Sequence, residues 1–294
     1  MQQLDIFADG RDRMLVNALA DSLAAADLPA ARVASDALRN EFPDDRHLAP
    51  AAALIGALAD EAAAAGIPLP DAAAAVAAGE RLDATLRPAA LAVLGGEAAA
   101  RWCVSRWQAL ARRARSLPFD PAQPEGHAAA LWLRGEAWSD AAAAVEGIVS
   151  WRRIPAPLAW MIEARCRLGR LDDSWELLAE LAWMVPGRFA DLLPRLADPL
   201  PRRLAKAFDA HFEGQGDTSD LAWFPAWVLV EQPALAAPLS RAQPGRHDEP
   251  ERAMRLLVEL IGLERQGRQH DLVARRRALR DLHPALYALY LARR

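Results

Sequence analysis

Apolar residues recur along this chain at intervals of three and four, and almost nowhere at intervals of two. Met14, Leu15, Ala18, Leu19 and Leu23 fall on one side of a helix predicted from about Arg11 to Ala25, with Asp9 as its N-cap. Pro29 suits the first turn of a second helix, which Pro43 ends. The segments 47–65 and 71–86 read as Ala-rich helices, Gly95-Gly96 as a break, and Glu97 to Ser116 as a further helix. Pro118, Pro121 and Pro124 force a loop at 118–124, after which helical spacing resumes to about Ala197. Loops rich in Gly and Pro are predicted at 214–218 and 243–250. Between them, Leu221 to Val230 is the most hydrophobic segment of the chain. It reads as a buried helix with Pro225 in its first turn.

The predicted fold is therefore all-α, built of stacked helical hairpins. Residues 1–10 are read as an N-terminal peptide, 11–116 as an N-terminal helical region and 125–294 as a C-terminal one, or 11–294 as one continuous domain. One set of spacings recurs. Ala31, Ser35, Leu38 and Pro43 share their offsets with Ser174, Leu178, Leu181 and Pro186, and with Leu272, Arg276, Leu279 and Pro284. Gly169-Arg170 and Gly267-Arg268 precede the last two prolines by equal distances, and Ala141, Val145 and Ile148 start the same pattern. Residues at i, i+4 and i+7 form one packing face, and the proline ends the helix. This resembles tetratricopeptide-type repeats over 11–45, 125–188 and 254–286, which implies an α-solenoid. The chain departs from that pattern: the first-helix signature is largely missing, and Arg153 replaces the proline after Ala141, Val145 and Ile148. Ile162 stands where a small residue is usual, Arg276 at an apolar position and Ser35 at a large one. An irregular α-α superhelix or bundle with hairpins of similar length is the alternative.

Composition strengthens the helical reading. The chain has 294 residues and is 53% hydrophobic, but much of this is Ala, the best helix former. The apolar runs Leu48 to Ala59 and Ala72 to Ala78 are too short to span a bilayer, so no membrane association is expected. Acids precede any apolar run at the N-terminus, which argues against a signal peptide. Cys103 and Cys166 stand alone, without the clustering a zinc site needs. They read as buried reduced thiols in a cytoplasmic protein. Almost every base is Arg, Lys206 being the sole Lys, which suggests a GC-rich bacterial genome. Residues 1–100 carry 15 acids against 7 bases, and residues 101–294 carry 24 against 28. A net charge of −4 makes direct nucleic-acid binding an unfavoured reading.

One short segment carries a functional signal. Gln3, Leu4, Asp5, Ile6 and Phe7 read QLDIF. The peptide resembles the motif with which bacterial replication and repair proteins dock on the DNA sliding clamp: Gln, Leu, Ser or Asp, an aliphatic residue, then Phe. The resemblance implies a protein partner, with Leu4, Ile6 and Phe7 entering an apolar pocket and Gln3 hydrogen bonding beside them. The competing expectation is local: Ile6 and Phe7 staple the first helix to its neighbour. Ten tryptophans, eight between Trp102 and Trp183, are expected in the core. Arg275, Arg276, Arg277 and Arg280 form a basic run, read as a solvated helix face over a phosphate-contacting one. The six His are scattered and there is no phosphate-binding Gly loop or nucleophile elbow. Neither catalysis nor a cofactor is expected. The expected function is that of a non-enzymatic helical adaptor, with a general protein- or peptide-binding scaffold as the alternative.

Overall fold

The structure is a computed structural model that describes residues 3–293, with side chains described from Gly10 onward. The described residues form helices and loops without a strand, so the fold is all-α. They divide into two compact units, residues 1–140 and 141–294.

The first unit holds α1 (Gln3–Ala24), α2 (Leu28–Glu41), α3 (Leu48–Ala63), α4 (Ala72–Arg81), α5 (Arg87–Leu94), α6 (Gly96–Ala114) and α7 (Ala128–Arg134). α8 (Trp138–Glu146) carries the boundary between the units. α1 packs on α2, α2 on α3, and α5 on both α3 and α6. Helix starts are set by Asp side chains. Asp27 accepts from the Ala30 N–H at 3.0 Å and Asp71 from the Ala74 N–H at 2.8 Å. Pro29 follows Asp27 in the first turn of α2, as its position in the sequence predicts.

α1 differs from expectation in two ways. It begins at Gln3, so Asp9 lies within the helix and does not cap it. Its buried stripe is Leu15, Leu19 and Leu23, while Met14 stays 63% exposed. Spacing of four along α1 puts three leucines in line, and burying each contributes about 1.5–3 kcal/mol. The predicted helix 71–86 is longer than expected. A π turn at Leu82–Leu86 joins α4 to α5, and the helical path continues to Leu94. Gly95 breaks it with a φ of +76°, a conformation that disfavours any side chain. The loop after α6 closes on α4 at Gly126, where a Cβ would stand 2.4 Å from the Ala72 carbonyl oxygen. No other residue fits there.

The second unit holds α9 (Pro155–Arg167), α10 (Trp175–Met184), α11 (Pro186–Leu192), α12 (Pro199–His211), α13 (Phe224–Glu231), α14 (Ala236–Leu239), α15 (Glu249–Arg265), α16 (Gln269–Leu282) and α17 (Pro284–Ala292). α13 is buried over Phe224 to Val230 and packs on α10 and α15. α15, α16 and α17 pack in succession. The residues sharing the recurrent offsets lie on buried faces: Ala31, Ser35 and Leu38, Ser174, Leu178 and Leu181, and Leu272 and Leu279. Pro186 and Pro284 not only end the helix before them but also open α11 and α17. A proline lacks the N–H that a first-turn position leaves unused.

Arg276 is the exception in that set, and its surroundings explain it. Its Nη2 donates to Glu264 Oε1 at 3.2 Å, and the hydroxyl of the fully buried Tyr290 donates to the same oxygen. The arginine stem packs at an otherwise apolar position while its head pairs with Glu264 of the preceding helix, α15.

Candidate functional site

The first unit carries a groove of about 760 Å³. Four segments build it: the α1–α2 turn with Ala26 and Leu28, α3 with Leu58, Glu61, Ala62 and Ala65, the loop Gly66-Ile67-Pro68, and the C-terminal half of α6. α6 contributes Arg106, Ala109, Arg112 and Arg113, and Arg115 and Ser116 follow directly after it. The volume falls in the range of small-molecule sites. Leu58 and Ala109 are buried at its floor, and Ile67 is 56% exposed at its mouth.

The loop wall is held in place. The Arg113 Nε donates to the Ile67 carbonyl at 3.0 Å, and the Leu69 N–H donates to the Arg113 carbonyl at 3.1 Å. Arg106 is only 10% exposed, and its Nε lies 2.8 Å from Glu61 Oε2. That contact is not aligned as a hydrogen bond, and the buried Arg106 Nη1 has no acceptor among the described residues. An unsatisfied buried donor costs about 1–3 kcal/mol. Burial lowers the Arg106 pKa, and Glu61 opposes the shift. Arg112 and Arg115 have no carboxylate partner among the described residues, and both are exposed. Four arginines thus face a single glutamate across an apolar floor. Neighbouring Cys103 is buried, which raises its pKa and keeps it a thiol.

The C-terminal arginines differ. Arg275 pairs with Glu259 at 2.8 Å, Arg276 with Glu264, Arg277 with Asp281 at 3.7 Å and Arg280 with Asp281 at 3.2 Å. Every cation of the run has a carboxylate within ion-pair distance, so the run does not present a bare positive surface. The tryptophans are core. Trp102, Trp107, Trp132, Trp160, Trp175, Trp183 and Trp227 are buried and the other three half-buried.

The ionic groups of the second unit tie a loop down. Glu251 has no exposed surface. It accepts from the Gly245 N–H at 3.0 Å, the His247 N–H at 2.8 Å and Arg255 Nη2 at 2.7 Å. Glu180 accepts from Arg152 and from the Gln243 N–H at 2.7 Å. The Gly- and Pro-rich segment 243–250 is therefore shaped by two carboxylates from α10 and α15. Asp45 accepts from both the N–H and the ring of His47, which shapes the turn before α3. Among the described residues, no group of three or more His, Cys, Asp or Glu is arranged to hold a metal ion. Nor, among the described residues, is any helix long and apolar enough to cross a membrane.

The backbone of Gln3, Leu4, Asp5, Ile6 and Phe7 belongs to the first turns of α1, and their side chains lie outside the described residues. Downstream, α1 is anchored by Leu15, Leu19 and Leu23. Between peptide and anchor stands Gly10, exposed and with open space around its Cα. The sequence reading missed the groove, because its residues come from segments up to 90 positions apart. The nearest available signal was the density of Arg from 106 to 115. No protein-family model, curated protein or solved structure matches this chain.

Proposed function

We propose that this chain is a cytoplasmic bacterial helical adaptor, not an enzyme, that docks on the DNA sliding clamp through Gln3, Leu4, Asp5, Ile6 and Phe7 in replication or repair. The observation that carries this reading is the QLDIF sequence itself. The body of the chain is compatible with it. A partner that takes residues 3–7 as an extended strand must unwind the first turns of α1. Terminal turns fray at little cost, and Gly10 is a weak point at which the fraying can stop. DNA is then reached through the clamp, in keeping with a basic run at 275–280 whose arginines are all ion-paired.

Titration of purified sliding clamp with the full chain and with a Gln3→Ala, Phe7→Ala variant tests the proposal. Saturable binding by the full chain and at least a tenfold loss in the variant are expected. Equal binding by both, or none by either, removes the clamp. A binding scaffold with no clamp connection is the second reading, favoured in that event by the groove of the first unit.

A further inference from the structure

We propose that the groove between α3 and the C-terminal half of α6 is a binding site for a small amphipathic anion: an aliphatic body on Leu28, Leu58 and Ile67, and a carboxylate held by Arg112 and Arg115.

Charge selects the anion. Last-turn arginines complement the negative end of α6, which accounts for their presence there but not for the apolar concavity beside them. Arg112 and Arg115 are free of carboxylates among the described residues, whereas each arginine of the run 275–280 is ion-paired. Arg106 adds a third guanidinium, nine-tenths buried and with its Nη1 lacking an acceptor, so the floor favours negative charge as well. Glu61, bound to Arg106, is the single acid in the lining.

Size and shape select a small ligand. The volume of about 760 Å³ is ample for a chain of ten or so carbons. The wall carrying Ile67 is pinned to α6 by two hydrogen bonds through Arg113, so the ligand does not have to order it. The site lies on other residues than Gln3–Phe7, and its occupancy does not depend on the clamp.

Calorimetric titration of the full chain compares decanoate with decanol and decyltrimethylammonium, which share the body and differ in head charge. Decanoate is expected to saturate one site with a Kd on the order of 100 µM. The alcohol and the cation should bind at least about tenfold more weakly. An Arg112→Glu, Arg115→Glu variant should lose decanoate by a similar factor or more. An Ala62→Trp variant, which fills the groove from an exposed position on α3, should lose it too. Unchanged melting temperatures in both variants assign these losses to the site. Binding of all three probes alike, retention of decanoate by both variants, or no saturable binding overturns the proposal. So does selective binding of an acidic, leucine-bearing peptide with decanoate inert, which makes the groove a peptide site.

Discussion

His127 and His283 each do with a ring nitrogen what Asp27 and Asp71 do with a carboxylate. His127 Nδ1 accepts from the Ala129 N–H at 3.2 Å, and His283 Nδ1 from the Leu286 N–H at 3.0 Å. A ring nitrogen accepts only when it carries no proton, so both caps need that nitrogen bare. Burial lowers both pKa values from the ordinary 6.5. Between the folded and unfolded pKa the unfolded chain binds more protons. The stability these groups contribute is therefore fully present above about pH 6.5 and lost as pH falls through the folded values. Glu251 acts in the same direction lower down. Burial alone would raise its pKa, but the Gly245 and His247 N–H groups and Arg255 outweigh burial and hold it below 4.5. Its contribution is lost only as pH falls through that depressed value. Thermal melting from pH 7.5 to 3.5 is expected to show a first loss beginning below about pH 6.5 and a second in the carboxylate range. A His127→Asn, His283→Asn variant keeps an acceptor at each cap and should flatten the first loss while leaving the second. A first loss of equal size in that variant means that other groups set it.

At the scale of elements, α1 serves two ends. Leu15, Leu19 and Leu23 fix its later turns, and Gly10 separates them from residues 3–9. Alanine at an exposed, sterically open helix position stabilises by about 0.5–1 kcal/mol over glycine. Gly10→Ala should therefore raise the melting temperature slightly. If docking unwinds the first turns, the same change should weaken clamp binding by about two- to fivefold, read by titration. Unchanged affinity would mean that residues 3–7 dock without unwinding. The helices themselves were largely legible in the sequence, because the 3.6-residue period, Pro at first turns and Gly95 act locally. What escaped was decided by contacts between elements. Periodicity alone does not say that Leu15 turns inward while the adjacent Met14 stays out. Nor does it say that Arg276 occupies an apolar position because Glu264 and Tyr290 await its head. The groove escaped for the same reason: Leu28, Glu61 and Arg112 are neighbours only once three helices have packed.

At the scale of the molecule, charge and packing are divided between two units with their own cores. The acid excess of residues 1–100 lies within the first unit, yet that unit also holds the arginine-rimmed groove. Net charge is thus a poor guide to which ligands a surface accepts. A local field depends on which side chains converge, and exposed charges farther off are screened within about 10 Å in ordinary salt.

The two cysteines fall one to each unit, Cys103 in the first and Cys166 in the second, and both are buried. Burial raises their pKa, that of Cys166 to about 11, so neither offers thiolate to a reagent at neutral pH. The chain thereby carries an intrinsic chemical clock for each half. Under a colorimetric disulfide reagent, no reaction is expected in native buffer, and two thiols should appear as denaturant is added. Prompt reaction in native buffer would show that a core opens more readily than its packing implies. Serine at one position at a time leaves a single clock running. The opening of either half can then be timed without an engineered label.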